Sequence, residues 1–127
     1  MTLEFKAVTG ATEGLREDIE VALFKAVQAS DFIFPTDEPL AIEIVFFCGR
    51  PAGARASAKW PIGDPPCHEV TAAVRMALRG VVFRQYSHVV SIKTDKRYCV
   101  NGMEPHTRVE IWAAGTKRYN TRPGLED

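Results

Sequence analysis

DPPCHEVTAAVRMALRGVVFRQYSHVVSIKTDKRY, residues 64–98, is the stretch whose reading decides the fold. Pro65 and Pro66 suit the opening of a helix, where the N–H that proline lacks has no intrahelical partner in any case. Val70, Ala73, Val74, Ala77 and Leu78 then recur at helical spacing on one side, and the pattern stops at Gly80, which adopts a left-handed helix end without strain. Strand-like text follows at residues 81–83 and again at 88–98. A helix, a glycine turn and a long strand in that order predict a helix packed across a sheet.

Outward from this stretch the same elements recur. In residues 2–8, Leu3, Phe5 and Ala7 alternate with Thr2, Glu4 and Lys6, the period of a strand with one buried face. Over residues 13–29, Leu15, Ile19, Ala22, Leu23, Ala26 and Val27 keep helical spacing, with Thr12 as the expected N-cap and Glu13, Glu17 and Asp18 favouring the positive end. LAIEIVFFC, residues 40–48, reads as a central strand, and residues 107–114 as a last one, after a break containing the turn-prone Asn101 and Gly102. Residues 49–66, rich in Gly and Pro, form a long loop of the kind that often carries function, and residues 116–127 read as a mobile polar tail.

The 127 residues are 46% hydrophobic and 25% charged, which suits one core and one domain, expected over residues 1–115. Sixteen Lys and Arg balance sixteen Asp and Glu, so no overall basic field marks a nucleic-acid partner, although a local patch is compatible with that balance. Cys48, Cys67 and Cys99 are odd in number and never form CxxC, which argues against a disulfide framework and for a reducing, cytoplasmic setting. No apolar run approaches the roughly 18 residues of a membrane helix, and the first residues lack the order of a signal peptide.

Taken in order, residues 12–114 resemble the RusA family of Holliday junction resolvases, whose text over the deciding stretch runs close to KPDxDNLxKxxxDALxGVVYxDDxQVVxxxxxK. Ala77, Leu78, Gly80, Val81, Val82, Phe83, Val89, Val90 and Lys96 keep that frame, and EIVFFCGRP at residues 43–51 is similar to the family's VxIVFYxPRP. The resemblance implies an α/β (α+β) fold with helices packed on a mixed sheet, a homodimer, and magnesium-dependent cutting of four-way DNA junctions. The family's ligand positions are not kept as carboxylates. Its two leading Asp fall on Pro66 and His68, its Asn on Glu69, its helix Lys on Ala72, its helix Asp on Met76, and its paired Asp on Gln85 and Tyr86.

Magnesium wants oxygen ligands in near-octahedral order, so a proline, an imidazole, an amide and a phenol do not replace clustered carboxylates. No cofactor is therefore expected. Magnesium and endonuclease activity return only if Asp64, Glu69 or Asp95 supply relocated ligands, which demands a shifted register across two prolines. A zinc site from Cys67, His68, His88, Cys99 and His106 matches no familiar spacing, and adjacent Cys67 and His68 do not easily point at one ion. Cys67 near a helix N-terminus is not tied to any His by a catalytic motif. Cys48 reads as a buried strand thiol and His106 as a surface or edge residue.

Binding DNA needs no carboxylates. Arg50, Arg55 and Lys59 in the long loop, Arg75 and Arg79 on the helix, and Lys93, Lys96 and Arg97 on the following strand are expected to form a basic rim for branched or duplex DNA. The sequence thus predicts a noncatalytic DNA-binding protein of recombination or repair type. The competing expectation is a phage-type interaction module binding a host protein, anchored by Trp60, Tyr86 or Phe32 and Phe34.

Overall fold

A computed structural model of the chain describes residues 2–8, 14–50 and 60–115. It is an α+β fold: a mixed four-stranded sheet with two helices side by side on one face. The order along the chain is β1 (Thr2–Val8), α1 (Leu15–Gln28), β2 (Leu40–Cys48), α2 (Cys67–Leu78), β3 (Val89–Tyr98) and β4 (His106–Ala113). Across the sheet the order is β1-β4-β2-β3. β4 is antiparallel to both β1 and β2, while β2 and β3 run parallel.

The period-two pattern of β1 is realised as written, with Leu3, Phe5 and Ala7 buried and their neighbours exposed. β2 is interior and largely apolar, with Glu43 the one charged residue along it, on the face without helices. Ile42, Ile44 and Phe46 meet the helices, while Ala41 and Val45 are buried on the other face, where Ala41 pairs with the buried Trp112 of β4. Ile19 and Leu23 of α1 join Val70, Val74 and Leu78 of α2 over the sheet in one core. Each such side chain contributes about 1.5–3 kcal/mol by leaving water. The hydroxyls of Thr71 and Thr94 lie 2.6 Å apart and fasten α2 to β3.

Several expectations shift. α1 begins at Leu15, and its N-cap is Gly14, held in the left-handed region at φ 78° with no side-chain cap. Thr12 and Glu13 lie outside the described residues, as does the tail at 116–127. The second helix runs as predicted, from the Pro66 N-cap to Leu78. Residues 81–83 are not a strand. Gly80, at φ 84°, donates its N–H to the Phe83 carbonyl at 2.7 Å, and Val82 donates to Leu78, so the chain closes into a turn that buries Val82 and Phe83. β3 starts only after a single 3-10 turn, Tyr86–His88. The Asn101-Gly102 turn joins two strands that are not neighbours, since β2 lies between β3 and β4.

Among the described residues no helix is long and apolar enough to cross a membrane.

Candidate nucleic-acid interface

β2, α2 and β3 form a parallel unit, and the carboxyl ends of such strands are where α/β sheets usually bind ligands. At that end lie Cys48, Lys96 and Tyr98, with Pro61, Gly63 and Asp64 of the preceding loop closing a cavity of about 130 Å3. Ligand sites usually occupy about 300–1,000 Å3, so this one is too small to define a substrate pocket. The Lys96 ammonium already donates to the Gly63 carbonyl, and the Arg50 guanidinium stacks over the Tyr98 ring at 4.3 Å. Burial pushes the Cys48 thiol above its ordinary 9.0, partly opposed by the nearby Lys96, and burial raises Cys99 as well.

The positions matched to the family's carboxylates are not gathered at one point. Pro66 caps α2, and His68 and Glu69 are exposed in its first turn. Ala72 and Met76 are exposed further along, while Gln85 and Tyr86 come after its far end. α2 is roughly 18 Å long at about 1.5 Å per residue, with His68 and Glu69 in its first turn and Tyr86 beside Arg75 and Arg79 near its other end, which is too far apart for one coordination sphere. Asp64 is exposed before Pro65, and Asp95 is engaged elsewhere, 3.7 Å from both Lys93 and Arg97. Among the described residues no group of three or more His, Cys, Asp or Glu is placed to hold a metal ion.

The zinc candidates are dispersed in the same way. Cys67 is exposed at the start of α2, His88 lies before β3, and His106 is not at the surface. His106 is 7% exposed, its ring stacked on Phe47 with centroids 4.7 Å apart and its Nδ1 2.7 Å from the Glu104 carbonyl. The flat imidazole fits the stack at the start of β4, so a residue expected at a surface or edge position is packed instead.

The predicted basic rim is rearranged rather than lost. Arg55 and Lys59 lie outside the described residues. Arg75 and Arg79 both stand over one ring, 4.7 and 5.2 Å from the centroid of Tyr86, which in turn leans on Phe83. Lys93 and Arg97 project from the helix-free face of β3, and Lys96 from the helix side, because neighbours on a strand alternate. The cations therefore do not ring a single site. They line a flank, from Arg79 beside the start of β3 to Arg50 and Lys96 at its end, along a ten-residue strand about 30 Å long.

This flank has a charge signature that position-by-position matching overlooks. From residue 67 to 98 the chain carries Arg75, Arg79, Arg84, Lys93, Lys96 and Arg97 against only Glu69 and Asp95. From residue 2 to 38 the balance reverses, with three cations against eight acids. The zero net charge conceals an acidic first third and a basic α2–β3 flank, and a running charge count along the sequence was the signal that would have found it.

Of the large side chains expected to anchor a protein interface, Tyr86 is taken up by the two arginines and Phe34 packs on the core. Trp60 and Phe32 are 63% and 46% exposed. Compared with known proteins, the chain matches no family model, no curated protein and no solved structure.

Proposed function

We propose that this protein is a RusA-like homodimer lacking the family's metal carboxylates, which binds branched or duplex DNA along the α2–β3 flank without cutting it. The observation that carries the reading is the concentration of cations at one edge of the sheet, with Arg75 and Arg79 over the Tyr86 ring near the start of β3, Lys96 on its helix side and Lys93 and Arg97 on its other face. Stacking on a ring orients guanidinium groups while leaving N–H donors for phosphate oxygens. The ion pairs of Asp95 with Lys93 and Arg97 are long and surface-exposed, so phosphate displaces them at small cost. A flank about 30 Å long follows a phosphate backbone over roughly nine nucleotides at 3.4 Å each. Contacts of this kind give affinity without sequence preference.

A gel-shift titration against a four-way junction and a matched linear duplex, with a magnesium cleavage lane, tests this reading. Five phosphate contacts predict a log–log salt slope near −4.5, or about a 500-fold loss between 50 and 200 mM salt, with no cutting. Cutting in magnesium means that relocated carboxylates restore the nuclease. Absence of binding at low salt moves the protein to the interaction-module class, for which Trp60 and Phe32 remain exposed.

A further inference from the structure

The carboxyl ends of β2 and β3 carry aromatic surface that phosphate contacts along the flank leave unused. Trp60 is 63% exposed and directly precedes Pro61, which is buried and lines the small cavity there together with Lys96 and Tyr98. Lys96 fixes this loop to β3 by donating to the Gly63 carbonyl. On the same strand end the Arg50 guanidinium lies over the half-buried Tyr98 ring, 4.3 Å from its centroid. Charge does not single out this end. Among the described residues Arg50 and Lys96 stand there against the exposed Asp64 and the exposed Glu104, which just precedes the Phe47–His106 pair, and Arg97 on the other face of β3 lies 3.7 Å from Asp95. What this end adds to the flank is ring surface.

We propose that Trp60 and the Arg50–Tyr98 stack receive unpaired bases, so that the protein binds single-stranded DNA, or DNA in which a single strand leaves a duplex, more tightly than fully paired DNA. The inference rests on the nucleic-acid reading of the α2–β3 flank and names its substrate class. Three observations direct it to this occupant. A strand whose phosphates follow the cations from Arg79 to Lys96 arrives at this end, because the loop that carries Trp60 is fastened to Lys96 itself. Every base offers a flat face to an indole, whatever its identity, and a guanidinium plane held on a tyrosine ring is a second surface of the same kind. In a duplex those faces are covered by neighbouring base pairs, so only unpaired nucleotides gain from either surface. The adjoining cavity, about 130 Å3, is below the usual size for a small-molecule ligand, which leaves the rings rather than a pocket as the binding surface.

The probes are an oligothymidylate of about twelve nucleotides, enough to cover the roughly nine of the flank and reach the rings, and a blunt duplex of equal length. Each is titrated against the full chain at one low salt concentration, followed by the anisotropy of labelled DNA and by tryptophan emission. The chain has two tryptophans and Trp112 is 1% exposed, so quenching by the oligonucleotide reports on Trp60. Tighter binding of the oligothymidylate than of the duplex is expected, with quenched emission. Trp60→Ala should weaken oligothymidylate binding by roughly 5- to 100-fold and leave duplex binding within about twofold. Trp60→Phe keeps a ring and should restore most of that affinity without the quenching. Both substitutions fall at an exposed position, and an unchanged emission of the buried Trp112 checks that the fold is kept. The inference is overturned if duplex is bound as tightly as oligothymidylate, if emission does not respond, or if Trp60→Ala binds the single strand as well as the natural chain. Duplex binding along the flank survives any of those results, whereas failure to bind either DNA at low salt overturns the flank reading together with this one.

Discussion

Among the described residues β1 and β3 are the two outermost strands of the sheet, yet they carry different chemistry along it. β3 has Lys93, Lys96 and Arg97 within ten residues and is fastened to α2 through the Thr71–Thr94 hydroxyl contact. β1 has one cation, Lys6, beside one acid, Glu4, and borders a cleft against α1 lined by apolar and charged side chains. Cations along an exposed strand discourage pairing with another strand and attract polyanions instead. One rim is thus guarded against backbone addition and suited to phosphate, while the other is balanced in charge. The difference teaches that a neutral small protein can present two unrelated surfaces on one sheet, provided the charges are sorted by element.

That contrast requires both rims to belong to one cooperative unit, and core truncation tests it with the largest expected effect. Ile19 lies under the β1 side and Leu78 under the β3 side, both without measurable exposure. Ile19→Ala and Leu78→Ala should each cost about 2–5 kcal/mol in denaturant unfolding, with one transition at every wavelength. Two separated transitions would break the comparison by making the rims independent.

Removing the stacked pair should act on the basic flank only. Arg75→Ala with Arg79→Ala is expected to lower the salt slope of DNA binding by about 2, across unrelated sequences. Asp95 is the flank's own competitor for Lys93 and Arg97. An exposed pair is worth at most about 1 kcal/mol, so Asp95→Asn should tighten DNA binding by up to about fivefold in the same titration.

A smaller effect separates the two sides by pH. Cys48 and Cys99 sit at the carboxyl ends of β2 and β3, whereas β1 and α1 carry no thiol. Their burial raises both thiols above 9.0, so the folded state holds protons that the unfolded chain releases. The associated stability is intact below pH 9 and declines as pH rises above it. Melting temperatures taken through this range should fall, and less steeply in Cys48→Ala. The smallest change belongs to the exposed pair Arg84–Asp37, where Arg84→Ala should shift unfolding by less than about 1 kcal/mol.

Much of this architecture was legible in the residues. β2 occupies the predicted residues 40–48, because a run of β-branched and aromatic side chains buried on both faces has no competing helical period. The α2 stripe of Val70, Val74, Ala77 and Leu78 was equally plain. Residues 81–83 misled because Val-Val-Phe has strand composition whether it extends or, as here, folds back beneath Gly80 to fill the core. His106 misled for a related reason: only the position of Phe47 across the β2–β4 pairing gives its ring a stacking partner. The rim residues were identified as types, but their division between two faces of β3 depends on register, and the cleft beside β1 depends on which strands end up outermost. Neither is local information.

The most direct test of the central contrast is a backbone amide NMR titration of the full chain with a short DNA duplex at low salt. The predicted result is a continuous band of shifts along α2 and β3, strongest near Arg75, Arg79, Lys93 and Lys96, with β1 and α1 unaffected. Shifts centred on the β1–α1 cleft, or no shifts at all, would contradict the assignment of the basic flank to DNA.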